Sequence, residues 1–301
     1  MPKENTHLFF AHGLIISLDG SIGEAVKRNI DYYYLGSVAP DIFFYGKNLE
    51  ECKISASLHG KDGEPTNKII FELLDIARKK KDEKILAFSL GYLTHCALDI
   101  AFHPVVIPLT GDIFCADPEK RAEANFFHRE WETALDADVN KDYYYADLVT
   151  PGLVEEVGMN DYIFKKYRVS PKRILELVKR QLLVNKLIRS GLAYQVFLFL
   201  SWIGLYKRKE DLALCYARVK NRKIIPKVIN YPDFITGEKL TTSVKKILAD
   251  ARSKAEEMLE AAGNYYQGRI NREELGNKIP GKSLETGRVD CPVSKMKYFN
   301  N

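Results

Sequence analysis

Nine side chains in the first half of the chain carry the chemistry to hold divalent metal. The segment Gly91 to Pro104 is apolar except for His95, Asp99 and His103. At helical spacing, positions i, i+4 and i+8 drift by only about 40° per step, so the three share one side of a helix. Leu90, Leu93, Ala97, Leu98, Ala101 and Phe102 around them call for burial, and a buried carboxylate needs a partner. A cation is the natural one. Taken one at a time, such residues also fit a core histidine bonded to a carbonyl or a simple His/Asp hydrogen bond. A second helical stretch repeats the spacing with His128, Glu132 and Asp136.

All six histidines, His7, His12, His59, His95, His103 and His128, precede residue 129, and the remaining 173 residues contain none. With Asp41, Asp99 and Glu132 they make nine nitrogen and oxygen ligands and no cysteine, a set suited to zinc in an open catalytic site. Nine ligands exceed one tetrahedral ion, so two or three Zn2+ ions sharing a carboxylate is the simpler count, with Asp99 the candidate bridge. Adjacent divalent ions polarise a phosphoryl oxygen and activate water, so phosphoester cleavage is the reaction class.

The elements that position these residues read as helices throughout. Thr6 to Leu18 is an amphipathic pattern with Thr6 as N-cap and Gly20 as stop. A second helix covers Ala25 to Tyr34 and breaks in the loop around Pro40, where Asp41 lies. Lys47 to Glu64, containing His59, reads as irregular. Helices follow over 66–81 and 83–102, the latter ended by Pro104, and another starts at Pro118. Residues 139–170 look like connection. Helical patterns return over 171–189, 191–206 and 208–220, then a turn-rich stretch spans 231–237 before a long helix over 243–266. The tail after Gly268 meanders or is disordered. These patterns predict an all-α multi-helix bundle, divided into a metal-site helical region (1–150), a helical continuation packing on it (151–268) and an irregular tail (269–301).

The 301 residues are 46% hydrophobic and 28% charged, which excludes a wholly disordered chain. The net charge of +5 is too small to require nucleic acid and suits an anionic substrate or membrane surface. Five scattered cysteines without a CxxC pair favour free thiols, the Met-Pro-Lys start shows no charged-then-apolar leader, and the longest apolar run noted, Leu192 to Tyr206, is too short to span a bilayer. A cytoplasmic protein is expected.

The Thr-His-Leu near the start, the Ala-Pro-Asp loop, the isolated His59, the His-x-x-x-Asp of His95 and Asp99 and the His-x-x-x-Glu of His128 and Glu132 stand in an order that resembles the zinc-dependent phospholipase C family. That family shares its all-helical fold with the single-strand-specific zinc nucleases. The resemblance implies one zinc held by Asp41, His59, His95 and Asp99, a second held by His128 and Glu132, and a third taking His7 and sharing Asp99. It also makes Asp41 the candidate general base, or the carboxylate that orients the attacking water. In secreted relatives the mature amino terminus binds the third zinc, and the Met-Pro start departs from this; His12 is a candidate substitute. Relatives also place a zinc histidine beyond the proline of the Gly91–Pro104 segment, whereas here His103 precedes it; His103 is assigned to the second zinc, its alternative being a helix C-terminal cap.

Tyr32, Tyr33, Tyr34, Phe43, Phe44 and Tyr45 either line a lipid or choline pocket or form core. Arg218, Lys220, Arg222, Lys223 and Lys227 either attract phosphates or form a solvated face. The functional expectation is a zinc-dependent phosphodiesterase acting on a phospholipid or other phosphodiester, with peripheral membrane contact and no stable nucleic-acid partner. The alternatives are a single-strand nuclease and a metal-stabilised helical binding module without turnover.

Overall fold

The protein is described by a computed structural model that covers residues 3–140, 144–220 and 222–300. Its helices in chain order are α1 (Glu4–Leu14), α2 (Gly20–Arg28), α3 (Ile30–Val38), α4 (Leu49–Leu58), α5 (Lys68–Lys80), α6 (Glu83–Thr110) and α7 (Pro118–Val139). After these come α8 (Tyr145–Leu148), α9 (Met159–Tyr167), α10 (Pro171–Arg189), α11 (Gly191–Trp202), α12 (Tyr216–Val219), α13 (Val244–Tyr266) and α14 (Arg272–Lys278). A two-stranded antiparallel hairpin, β1 (Ile229–Pro232) with β2 (Lys239–Thr242), closes over the turn at Asp233–Gly237. The fold is all-α apart from this hairpin.

The axis of the molecule is α6. Left-handed Lys81 ends α5, and the Asp82 side chain caps α6 by accepting from the amides of Lys84 and Ile85. Every residue from Ile85 to Ile100 is buried. A helix apolar on all sides must be enclosed, and α1, α2, α3, α5, α7 and α13 surround this one. By length and composition α6 could cross a membrane, which Leu192–Tyr206 could not, but 94% of its apolar window is buried inside the protein.

The closest packing is between α3 and α6. A Cβ placed on Gly91 would lie 1.9 Å from the Tyr33 carbonyl oxygen, and one on Gly36 would lie 2.1 Å from that of Phe88. The two backbones touch where no side chain fits, and this fixes the Ser37 carbonyl beside His95.

Several local expectations are corrected. Proline 104 does not end the helix: α6 continues through Pro104 and Pro108 to Thr110. A proline removes one helical donor and leaves the carbonyl four residues earlier exposed, and here the C-terminal tail runs past that carbonyl. A Cβ on Gly287 would sit 2.8 Å from the Ile100 oxygen and 3.0 Å from the Pro104 ring, so glycine, at φ 65°, is what fits there. The stretch around His59 is not irregular but holds α4, capped by Asn48, with His59 as its C-cap. The single helix expected over 25–34 is divided at Asn29, and the Asp41 loop is a 3-10 helix over Ala39–Tyr45. The connection at 139–170 includes α9, and its residues 141–143 lie outside the described ones.

The tail is tied down by its backbone. The Leu284 amide donates to the His59 carbonyl (2.8 Å), that of Val293 to Lys61 (2.9 Å) and that of Asn300 to Pro108 (2.6 Å). Substituting Gly91→Ala forces α3 and α6 apart, and overpacking of this kind typically destabilises by about 1–3 kcal/mol. Chemical denaturation is expected to show at least that loss, and an unchanged midpoint would contradict the backbone contact.

Candidate metal centre

Five donors converge from four elements. From α6 come His95 and Asp99, from α1 His7, from the 39–45 turn Asp41, and from the end of α4 His59. The His95 Nε2 atom is 3.0 Å from Asp99 Oδ2 and 3.7 Å from Asp41 Oδ1. The His59 Nε2 atom is 3.3 Å from Asp41 Oδ1 and 3.4 Å from Asp99 Oδ2. On the far side of Asp99, His7 Nε2 is 3.4 Å from Oδ1 and the His7 ring stacks on His95 with centroids 3.9 Å apart. Two triads result, His7–His95–Asp99 and Asp41–His59–His95, each with donor atoms within 4.8 Å of one another. Asp99 faces both sides through its two oxygens, as a bridging carboxylate does.

The imidazoles are aimed by their other nitrogens. His59 Nδ1 is 2.6 Å from the Ser55 carbonyl and His95 Nδ1 is 3.0 Å from that of Ser37. A carbonyl only accepts, so both Nδ1 atoms carry a hydrogen, and in the neutral rings both Nε2 atoms turn a lone pair inward, 3.4 Å from each other. This is the outer-shell arrangement of metal-bound histidine.

The enclosed atoms lack what would balance them. Among the described residues, Asp41 Oδ1, both oxygens of Asp99 and both ring nitrogens of His7 are buried with no hydrogen-bond partner within normal geometry. Two buried carboxylates with so few donors around them call for a cation. In the metal-free chain a proton supplies part of it: burial opposes charge on His59, but Asp41 and Asp99 raise its pKa to about 10. Burial likewise pushes the Asp99 carboxyl up, and His95 and His103 beside it outweigh that and hold it well below the carboxylate range.

A second group forms one turn further along α6, where His103 meets His128 and Glu132 of α7, again within 4.8 Å. His128 Nε2 is 2.9 Å from Glu132 Oε1. Burial would raise the Glu132 carboxyl, but His128 brings it down to about 2. The Thr110 hydroxyl donates to Val106 and so can only accept from His128 Nδ1, 3.2 Å away. His103 Nδ1 donates to the Leu284 carbonyl at 2.8 Å, and its buried Nε2 has no hydrogen-bond partner among the described residues. His103 is therefore not a helix cap.

Eight of the nine expected ligands thus fall into these groups, and each is at most 6% exposed. His12 does not. Five residues after His7 on α1 it lies about 140° around the helix, partly exposed, with Nδ1 2.6 Å from the Tyr34 hydroxyl. The Met1-Pro2 start lies outside the described residues. Asp136, third in the α7 stripe, holds α1 in place by accepting from Asn5 (3.2 Å), Thr6 (2.5 Å) and Tyr216. Arg218 and Arg222, from the basic run, pair with Glu130 at 2.8 and 2.6 Å. Tyr32, Tyr33, Tyr34 and Phe43 are core, whereas Phe44 reaches the surface with its ring 5.3 Å from that of His59.

Sequence reasoning missed the tail. Glu285 is buried 3.4 Å from His103 Nδ1, and burial raises its pKa to about 7. It lies 182 positions from His103, and no local pattern announces it. Ser55 was legible in principle, since a carbonyl four residues before His59 on a helix is within its reach; Ser37 and Thr110 were not.

The nitrogen and oxygen donors, orphaned acceptors and fixed tautomers fit zinc. Comparison with known proteins agrees: residues 6–184, more than half of the chain, match the family model described as zinc dependent phospholipase C. No curated protein and no solved structure matches. Outer-shell partners typically change metal affinity 10–100-fold. Glu285→Ala is therefore expected to weaken zinc at the His103–His128–Glu132 group by about tenfold or more, read by chelator competition, with the other group unaffected. Unchanged affinity of the His103–His128–Glu132 group in the variant would contradict the role given to the tail.

Proposed function

Because the chain belongs to the zinc-dependent phospholipase C family, we propose that it is a zinc-dependent phosphodiester hydrolase whose substrate is a phospholipid of the phosphatidylcholine type. The observation that carries this reading is the convergence of eight nitrogen and oxygen donors, shared among three triads along one buried stripe of α6 and its neighbours. Zinc held there supplies Lewis acidity, polarising a phosphoryl oxygen and making water a better nucleophile. Two or three ions fit the donor count.

The chain's own residues do the rest. Asp41 directs Oδ1 at His59 and His95, and its carboxylate takes the proton of the attacking water or orients that water. His59, His95 and His128 are held in one tautomer by Ser55, Ser37 and Thr110, so the lone pairs need no reorganisation before the reaction. Phe44, partly exposed with its ring 5.3 Å from that of His59, offers an apolar contact for substrate beside the site.

One observation favours a second reading, a metal-stabilised helical module without turnover: all eight donors are buried, and the tail crosses the site at His59 and His103. The readings separate in parallel assays of the zinc-loaded chain on a short-chain phosphatidylcholine analogue and on single-stranded DNA. Hydrolysis of the lipid analogue is expected, with Asp41→Asn slower by about 10²–10⁴-fold, the range for a lost general base. Turnover of DNA alone would reassign the chain as a nuclease. No turnover of either, with a chelator still lowering the melting temperature, would establish the non-catalytic reading.

A further inference from the structure

The sequence of α11, Gly-Leu-Ala-Tyr-Gln-Val-Phe-Leu-Phe-Leu-Ser-Trp, contains no charged residue, yet Ser201 is its single buried position. Leu192, Val196, Phe199 and Ile203 recur at intervals of four, three and four, so they line one stripe, and all four face solvent. Trp202 beside them is 81% exposed, and Leu205 just beyond is 74% exposed. A helix that is apolar all round is normally enclosed by protein or lipid, and an exposed patch of this size marks an interaction site.

The charge around the patch identifies what covers it. Residues 177–209 include Lys179, Arg180, Lys186, Arg189, Lys207, Arg208 and Lys209 and not one aspartate or glutamate. Lys186 and Arg189 are exposed just before α11, and Lys207, Arg208 and Lys209 just after it. Arg208 is paired, lying 3.2 Å from Asp211. A second copy docked face to face would bring the same cations against each other. An anionic surface with an apolar layer beneath it satisfies both features at once. At 12 residues, α11 is about 18 Å long, too short to span a bilayer but suited to lie in its interface with the cations at headgroup level.

We infer that α11 and the segment through Lys209 form a docking surface for a bilayer containing anionic phospholipid. The consequence for the site follows from the chain: α11 continues from α10, and α10 packs on the 39–45 turn that carries Asp41. Docking through α11 holds that turn close to the lipid surface. The inference deepens the lipid-hydrolysing reading given above and rests on it for its purpose, but the surface is testable without any hydrolysis.

The chain has two tryptophans, Trp131 buried in the core and Trp202 exposed on α11, so a change in emission on docking reports Trp202. The test uses the full zinc-loaded chain with vesicles of phosphatidylcholine alone and of phosphatidylcholine with phosphatidylserine. With the serine lipid, a blue shift of emission and co-flotation are expected, both weakened by salt. Leu192→Asp and Phe199→Asp change residues already in water, and each is expected to reduce partitioning at least tenfold while leaving the melting temperature and the hydrolysis of a soluble analogue unchanged. Absence of both the shift and co-flotation with either vesicle would overturn the inference. So would a concentration-dependent blue shift and dimerisation without vesicles, which would give the patch to a second copy. Vesicle binding without hydrolysis of any phosphodiester would overturn the catalytic reading and leave the docking surface standing.

Discussion

The structure depends on an electrostatic imbalance at its centre. Asp41 and Asp99 are buried against His7, His59 and His95, with ring nitrogens and carboxylate oxygens 3.0 to 3.7 Å apart. An isolated ionised carboxylate in such surroundings is strongly unfavourable. Positive charge must enter, either as a proton on His59 or as a divalent ion shared by several donors. A shared ion fits the geometry, since His7 Nε2 faces Asp99 Oδ1 at 3.4 Å and the hydrogen-bonded Nδ1 atoms of His59 and His95 leave their Nε2 atoms aimed at the same centre.

Much of the architecture can be understood as support for this core. The close approach of α3 to α6 at Gly36 and Gly91 sets the Ser37 carbonyl against His95. Asp136 gathers Asn5, Thr6 and Tyr216, anchoring the start of α1 so that His7 arrives over Asp99. The tail reaches back to hold His103 through the Leu284 carbonyl and passes α6 at the place where Pro104 leaves the Ile100 carbonyl open. The helical region matched by the family and the residues after it therefore build one site together.

What was legible in the sequence follows the range of the interactions. His95 with Asp99, and His128 with Glu132, are four residues apart, and helical geometry alone puts each pair on one face. The meeting of His7, Asp41 and His59 with them is a tertiary event; their order along the chain resembled a known family, but no spacing rule could bring them together. His12 reads as a ligand by residue type, but at about 140° around α1 from His7 it lies beside Tyr34 and outside both groups. Pro104 reads as a stop because the rule concerns the lost hydrogen bond, and Gly287, which packs at that point, is 183 positions along the chain. Glu285 stood in a Gly- and Ser-containing stretch with no periodicity to mark it, and burial was evident only from the fold.

The most direct measurement is an anomalous-scattering map collected at the zinc edge from crystals of the zinc-loaded chain. The account predicts peaks enclosed by His7, Asp41, His59, His95 and Asp99, and a separate peak among His103, His128 and Glu132, with none at His12. A folded chain with these side chains in place and no anomalous density between them would contradict it.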